Sequence, residues 1–227
     1  MTHLLLASSQ VTLNFGDSLK KPTSSILIIL AVTVLAVAPS LLILLTGFTR
    51  IVIVLGLTRQ ALGLQTTPPN QVLVGIALFI SLFIMAPTLG AMNHVGLQPY
   101  LHGKISATQA YDRAEVPLKT WMLKQTGSEE LALTTKAAHE SASKPMKDSL
   151  ATIIPAFLLT QLKSAFVIGF VIFVPFLIID LVVAATIMSL GMVMLPPTLV
   201  SLPFKLLLFV LVDGWVLVTQ SLVTSFR

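Results

Sequence analysis

Residues 151–195 read ATIIPAFLLTQLKSAFVIGFVIFVPFLIIDLVVAATIMSLGMVML, and only two of these 45 side chains are charged. As one straight helix the run would be about 68 Å long, more than twice the roughly 30 Å of a bilayer's hydrocarbon core. We therefore expect it to kink, to fold back or to leave the bilayer, with Pro155 and Pro175 as the kink positions. Gly191 and Pro196-Pro197 are expected to end it.

The absence of charged side chains predicts three further apolar segments. Ile26–Phe48 and Val72–Met92 are free of charge, and each is long enough to cross a bilayer, which takes about 20 residues. Thr198–Phe226 is the last segment and contains one lysine and one aspartate. The sequence therefore predicts an all-α integral membrane protein of helical hairpins, with about four long hydrophobic segments, of which the third is kinked.

A polar insert separates the two apolar halves, because His94–Leu150 contains 13 of the chain's 23 charged residues. An apolar stripe after Ser106 and a capping pattern at Ser128 predict two short helices in it. We divide the chain into an N-terminal segment (1–25), a first hydrophobic hairpin (26–92), the polar helical insert (93–150) and a second hairpin with a Met-rich loop (151–227). Residues 1–25 lack the basic start of a conventional signal peptide, and we expect them to follow a signal sequence or to be its remnant.

The composition excludes most classes of enzyme. Hydrophobic residues make up 55% of the chain and charged residues 10%, against about 25% charged in a soluble domain. Without cysteine there are no disulfides, thiol nucleophiles or Cys-ligated metals, and the four histidines lack zinc-binding spacing. No phosphate loop or nucleophile elbow occurs. We expect no catalysis, no cofactor and no metal. Because Lys and Arg form no dense patch, the net charge of +5 predicts no nucleic-acid partner.

Five ionisable residues lie in or beside the apolar segments and are predicted to be buried: Arg50, Lys163, Asp180, Lys205 and Asp213. A charge within a membrane needs a partner or water. One hypothesis is structural pairing between helices or subunits, and the other is a water-filled path or an ion relay. The two acids and two bases inside the segments balance, which favours pairing.

Met188, Met192 and Met194 cluster before the double proline. Methionine commonly fills gaps, so packing in a core or against lipid is one interpretation. The other is a pore constriction, because several flexible apolar loops around an axis can close tightly and still deform around a passing chain. The residue pattern leaves both interpretations open.

Several long motifs closely resemble the FliP family of flagellar type III export-gate proteins. They are TGFTRIVIVL (46–55), RQALG (59–63), TPPNQVL (67–73), DLVVA (180–184), MVMLPP (192–197), LPFK (202–205) and VDGW (212–215), and shorter matches fill the middle region. The resemblance covers the chain from about the first apolar segment onward. Injectisome export proteins share the pattern more loosely, and the RQALG and PPNQ motifs favour the flagellar system.

The resemblance implies an all-α protein that assembles as a homopentamer with FliQ-like and FliR-like subunits. It also implies FlhB-like and FlhA-like export components, membrane lipid and unfolded flagellar proteins as partners or substrates. The expected location is the bacterial inner membrane, in the flagellar basal body. In this family much of the apolar hairpin material lies in the assembly, so the long run need not fit a bilayer.

The resemblance further implies roles for particular residues. Asp180 and Lys205 correspond to a salt bridge between subunits, and Met192, Val193 and Met194 to a methionine gasket that seals the closed pore. Two positions depart from the family. Val193 replaces the middle methionine, and Gln161 replaces a glutamate near Lys163, which puts any role for a charge at 161 in doubt.

Two alternative functions remain at this stage. One is an injectisome export-gate subunit. The other is an independent ion-coupled transporter that uses Lys163, Asp180 and Asp213 as a relay. Transporters often have internal repeats, and none is visible in the sequence.

Overall fold

The computed structural model describes residues 24–139, 146, 148–192 and 194–226. All regular structure in these residues is helical, which confirms the all-α prediction. The prediction for residues 1–25 falls almost wholly outside them. The helices are α1 (Ser24–Leu45), α2 (Phe48–Ala61), α3 (Asn70–Met92), α4 (Gln98–Leu101), α5 (Ala107–Lys124), α6 (Ser128–Ala137), α7 (Leu150–Ser189), α8 (Pro197–Leu211) and α9 (Gly214–Thr224).

The chain divides into two compact units, Met1–Leu41 and Leu42–Arg227. The described part of the first unit is α1 as far as Leu41, with Pro39 inside the helix. Its large apolar side chains, such as Leu35, are exposed, as in a helix that faces lipid or another protein. The second unit contains α2 to α9.

The core of the second unit is built around α2. Its buried side chains Ile51, Val54 and Leu55 recur with helical spacing and form one apolar face. This helix packs against both α3 and α7. A side chain at Gly169 of α7 would collide with Leu57 of α2, so the glycine allows the two helices to approach closely. The first predicted apolar segment ends at Phe48, and α2 was not identified as a separate helix.

Helix α7 is continuous over 40 residues, about 60 Å at 1.5 Å per residue. Pro155 and Pro175 lie inside it and neither ends it. Of the three outcomes expected for this run, folding back is therefore excluded. The apolar run ends as predicted, because Gly191 adopts a left-handed conformation with φ of 74° and Pro196 precedes the first residue of α8.

Two helical stretches are long and apolar enough to cross a membrane, Asn70–Leu101 and Leu150–Ser189. The first comprises α3, a π-helical turn and α4. Two helix pairs also pass the same test when each is counted as one span, α1 with α2 and α8 with α9, and the second pair is bent by 63°. The described residues thus contain two to four candidate spans, in agreement with a helical membrane protein.

The polar insert contains the two predicted helices. Helix α5 begins with a capping box, in which Ser106 Oγ accepts a hydrogen bond from the Gln109 amide and Gln109 Oε1 accepts one from the Ser106 amide. Its buried Leu118 and Met122 join Met85 of α3 and Phe157 of α7 in a second apolar cluster. Helix α6 packs on α7. The insert is therefore part of the same packed unit as the apolar helices.

Candidate functional site

Asp180 and Lys205 form a salt bridge between α7 and α8. Lys205 Nζ lies 2.6 Å from Asp180 Oδ2, and the lysine side chain is only 4% exposed. Ser201 lies one turn before Lys205 on α8, and its hydroxyl donates a hydrogen bond to Asp180 Oδ1 at 2.5 Å. Both carboxylate oxygens therefore have a donor on α8.

The same lysine also connects these helices to α2. Lys205 Nζ donates a hydrogen bond of 3.1 Å to the carbonyl of Ala61, the last residue of α2. Carbonyls at a helix C-terminus have no partner within the helix and carry a partial negative charge, which a buried ammonium stabilises. Three helices thus meet at one cation.

The resemblance implies that Asp180 and Lys205 bridge two subunits. The structure joins them within one chain, 25 positions apart. A bridge between subunits stays a prediction. The intrachain contact has a direct structural role, because α8 folds back along α7 and the pair lies where the two helices pack.

The loop after α7 begins with a Schellman motif. The amide of Gly191 donates to the carbonyl of Met188 and the amide of Met192 to that of Ile187, both at 3.1 Å. Gly191 takes the left-handed conformation that this motif requires. The first turn of the loop is therefore fixed by backbone hydrogen bonds.

The methionines of this loop are exposed. Met194 is 99% exposed and Met192 is 45% exposed. Val193, the third residue of the predicted gasket, lies outside the described residues. Beside the loop, a groove of about 650 Å³ runs between the end of α7 and the start of α8, with Ile187, Met192 and Phe204 in its lining. Met192 thus lies against the groove at the base of the loop, and Met194 extends away from that base.

Arg50 is buried in α2, and its partners lie at the C-terminal end of α9. Nη1 donates to the Ser225 carbonyl at 2.8 Å and to the Ser225 hydroxyl at 3.1 Å. The guanidinium carbon is 4.0 Å from the centre of the Phe226 ring. Among the described residues no carboxylate pairs with Arg50. The arginine thus ties α2 to the end of α9.

Lys163 and Asp213 require a correction, because both were predicted to be buried and both are exposed in the folded chain. Lys163 is 60% exposed and pairs with Glu130 at 2.9 Å and Glu129 at 3.4 Å. The hydrogen bond from the Lys163 ammonium holds the pKa of Glu130 below its usual range. Helix α6 packs alongside α7 and brings these two glutamates within reach of the lysine.

Gln161 is the second departure from the family, and it is buried. Its side-chain amide donates a hydrogen bond of 3.3 Å to the carbonyl of Gln125. Gln125 in turn donates to the carbonyl of Phe226 at 3.0 Å. A glutamate could not donate the first bond unless it were protonated. In this chain position 161 therefore links α7 to the end of α5 through an amide.

Asp213 lies at the break between α8 and α9, with φ of 50°, and its side chain makes no capping hydrogen bond. Among the described residues no hydrogen bond or salt bridge joins it to Lys163 or Asp180. The described residues contain no group of three His, Asp or Glu side chains that could hold a metal ion.

Sequence reasoning identified both members of the Asp180–Lys205 pair. It missed three hydrogen-bonding groups: Ser201 and the Ala61 carbonyl beside this pair, and the Ser225 hydroxyl beside Arg50. Ser201 has a signal, since it lies four residues before Lys205 and hence on the same helix face. No sequence pattern identifies the Ala61 carbonyl or the Ser225 hydroxyl as a partner of a charge. Every residue has a backbone carbonyl, and Ser225 is far from Arg50 in the sequence.

Comparisons with known proteins agree with the resemblance. The model of the FliP family matches residues 31–222. The flagellar biosynthetic protein FliP of Bacillus subtilis is 53% identical over 205 residues, which cover 90% of this chain and 93% of that protein. The FliP of Caulobacter vibrioides is 44% identical over 98% of this chain and 84% of its own length. The FliP of Aquifex aeolicus is 46% identical over 89% of this chain and 86% of its own length.

Proposed function

Because the chain belongs to the FliP family, we propose that it is a subunit of the bacterial flagellar type III protein export gate. The relatives compared above are named flagellar biosynthetic proteins, which favours the flagellar system over an injectisome. The apolar helices support a membrane location, and we infer the inner membrane at the flagellar basal body. The role is architectural: the chain forms a passage, while partner proteins and the proton-motive force supply energy.

The passage requires more than one copy. We infer a homopentamer, as the family resemblance implies, with FliQ-like and FliR-like subunits. Large apolar side chains on α7 and α8 support this assembly, because Phe170, Leu177 and Leu211 are exposed in the single chain and such a surface needs lipid or protein against it. FlhB-like and FlhA-like export components and unfolded flagellar proteins complete the set of partners.

The Met192–Met194 loop is the proposed constriction. The supporting observation is the contrast between its fixed base and its exposed tip, with Met194 99% exposed. Methionine is unbranched and soft, so several copies around an axis can close tightly and still yield to an unfolded chain. Val193 is stiffer than methionine, so its neighbours supply most of the adaptability.

The buried ion pair gives this loop a rigid support. Asp180 lies 12 positions before Met192 and Lys205 lies 11 positions after Met194, so the salt bridge closes the base of the α7–loop–α8 hairpin. The ion pair and Ser201 hold α7 and α8 together at the base of the loop. Only the tip of the loop then needs to move when the constriction opens.

A leak measurement tests the gate. Replacing Met192 and Met194 with alanine removes the apolar bulk that seals the closed pore, and we expect resting membranes to leak ions or small solutes. Met188→Ala is the matched control, because Met188 is exposed on α7 before the loop begins. An unchanged leak in the double variant, with normal amounts of assembled protein, would overturn the gasket.

An ion-coupled transporter is less well supported. Lys163 and Asp180 lie 17 positions apart on one continuous helix, about 25 Å at 1.5 Å per residue, and each has its own local partner. That separation is too long for a direct relay. Size in mild detergent distinguishes the two functions, because the export gate predicts a large hetero-oligomer and the transporter a monomer or simple dimer.

A further inference from the structure

A pocket between α2 and α7 contains a buried cation. Its volume is about 390 Å³, and its wall includes Arg50, Lys163, Ser164 and Ser225; we call it the Arg50 pocket. Arg50 is only 3% exposed. Its Nη1 donates to Ser225, and among the described residues its buried Nε has no hydrogen-bond partner. Because a guanidinium carries several N–H donors, donors remain for an anion in the pocket.

The other charges of the Arg50 pocket also favour an anion. The Lys163 ammonium lies in its wall and pairs with Glu130, a second wall residue, at 2.9 Å. Glu129, the other partner of this lysine, is 86% exposed and lies outside the wall, where solvent screens it. The wall thus contains two cations and one carboxylate, which leaves one positive charge over. Such a site suits a singly charged anion, and the half-buried Ser164 hydroxyl adds a donor.

An apolar groove follows the Arg50 pocket along α2 and α7. Its volume is about 300 Å³, and we call it the α2–α7 groove; its lining is Leu57, Phe166, Gly169, Phe170 and Phe173. Leu57 lies seven residues after Arg50, two turns along the same face of α2 and about 10 Å away. On α7 the groove residues likewise follow Ser164. The charged pocket and the apolar groove therefore lie in line.

The shape of this groove indicates what it can hold. It spans seven residues of α7, about 10 Å, so its mean cross-section is about 30 Å². A helix with its side chains is about 10 Å across, which corresponds to roughly 80 Å². The groove is therefore too narrow for a helix and suits a single extended hydrocarbon chain.

The Arg50 pocket lies where polar sequence gives way to apolar sequence. Helix α6 of the polar insert forms part of its wall through Glu130. On α7 no polar side chain occurs from 165 to 179, and on α2 no charged side chain occurs from 51 to 58. Helix α7 is a candidate membrane span, as is α2 together with α1. A boundary of this kind is where lipid headgroups meet a membrane protein.

We propose that the Arg50 pocket and the α2–α7 groove bind one glycerophospholipid. The phosphodiester accepts hydrogen bonds from Arg50 and Ser164, with Lys163 as a second cation, and one acyl chain lies along the α2–α7 groove. An anion joined to a hydrocarbon chain is complementary to a cationic pocket in line with a narrow apolar groove. This inference goes beyond the proposed function, because it needs a membrane around the chain but neither a pore nor export.

Photolabelling tests the site in the full chain, reconstituted in the oligomer that it forms. The probe is a phosphatidylglycerol with a diazirine in the middle of one acyl chain, present as a minor component of phosphatidylcholine vesicles. We expect mass spectrometry to find the label concentrated at Leu57, Phe170 and Phe173. Leu211 is the control position, because it is an exposed apolar side chain on α8 outside the groove.

A second lipid tests the phosphodiester. A diacylglycerol that carries the same diazirine chain differs from the probe in lacking the phosphodiester and its headgroup. We expect its labelling of the groove to be at least about tenfold lower, the factor for losing one charge-assisted hydrogen bond.

A variant of the pocket wall tests the position. Ser164→Leu fills the Arg50 pocket from α7 and should lower groove labelling by about tenfold or more. Ser189→Leu is the matched control, because Ser189 is exposed on the same helix and bonds only a carbonyl of that helix. If Ser164→Leu does not accumulate, Lys163→Met replaces it, because this exposed lysine is a wall cation and its loss leaves Glu130 to repel the phosphodiester.

Four results would overturn the proposal. They are equal labelling of the groove and Leu211, which ordinary surrounding lipid gives; equal labelling by the two lipids; labelling that the wall variant leaves unchanged; and no groove label in the oligomer, which means that protein covers the groove. Failure of the gate is distinguishable from each of them. A Met192/Met194 variant that does not leak would overturn the gate and leave the lipid site standing.

Discussion

Helix α7 takes part in two ion pairs, at Lys163 and at Asp180, and the two differ in burial rather than in chemistry. Lys163 meets Glu129 and Glu130 at the surface, with its own side chain 60% exposed. Asp180 meets Lys205 in the packed region between α7, α8 and α2, where a serine hydroxyl and a helix-end carbonyl complete the shell. In the single chain the Lys163 ammonium is open to solvent, whereas the Lys205 side chain is only 4% exposed.

A charge is structurally necessary where solvent cannot take the place of its partner. A surface pair gains little, because water solvates either ion once the partner is gone. A buried pair is not a large net gain either, yet removing one member leaves the other ion without solvent. The pair at Asp180 should therefore behave as an obligatory unit, and the one at Lys163 as dispensable.

Lys205→Met is expected to have the largest effect. It leaves Asp180 Oδ2 and the Ala61 carbonyl without their donor. Because Ser201 still bonds Oδ1 and the Asp180 side chain is 25% exposed, we expect a loss near the lower end of the roughly 3–5 kcal/mol found for breaking a buried pair. The apparent melting temperature of the detergent-purified chain, followed by tryptophan fluorescence, measures the loss. Lys163→Met is the matched control, and equal losses at the two lysines would contradict the comparison.

Exchanging the charges distinguishes a pair within one chain from a pair between subunits. Asp180→Ala alone should lose the oligomer. Asp180→Lys with Lys205→Asp in the same chain should restore part of the assembly, but not all, because an aspartate at 205 would face the Ala61 carbonyl. Co-expressing the two single variants on separate chains is the critical arm. Restored assembly there, judged by size in detergent, would mean that the bridge joins subunits.

Ser201→Ala is expected to have an intermediate effect. It removes the hydrogen bond to Asp180 Oδ1 and leaves the salt bridge, so we expect a loss of about 1.5–3 kcal/mol, typical of a bond to a charged group. The same melting measurement applies. Ser189→Ala is the control, because that hydroxyl bonds only a carbonyl of its own helix at the surface. A loss no greater than that of the control would mean that Ser201 contributes nothing to the buried pair.

Glu130→Gln is expected to have the smallest effect at neutral pH. The partner Lys163 stays solvated and keeps Glu129 as a second acceptor. Melting should therefore shift by a small fraction of the Lys205→Met loss. A shift comparable with that of Ser201→Ala would show that the α6–α7 contact depends on this ion pair.

The same residue predicts a weak acid sensitivity. The pKa of Glu130 is lowered in the folded chain by the Lys163 hydrogen bond, so its contribution to stability is present above the unfolded-state value, about 4.3, and is lost as pH falls through the folded value. Melting temperature measured from pH 7 down to pH 3 should fall slightly less steeply in Glu130→Gln than in the unmodified chain. Identical profiles would contradict the assignment.

Sequence reasoning identified the candidate site residues, but it did not predict correctly which of them are buried. Asp180 and Lys205 stood out because charges are rare in apolar runs. The same argument placed Lys163 among the buried charges, and this part was wrong, because hydropathy cannot show that α6 packs alongside α7 there. The bend at Asp213 was also not predicted, since aspartate adopts the left-handed conformation only at some positions and nothing in the neighbouring residues marks this one.

The sequence by itself determined the all-α class, the two helices of the polar insert and the end of the long apolar run. These features follow from local causes: the cost of a charge in an apolar segment, the period of 3.6 residues, and the backbone limits of glycine and proline. Only the tertiary structure decided which charges meet. Lys205 reaches Asp180 across 25 positions and Ala61 across 144, and Arg50 reaches Ser225 across 175. Such contacts depend on how α2, α7, α8 and α9 pack against one another. A short stretch of sequence carries no information about that packing.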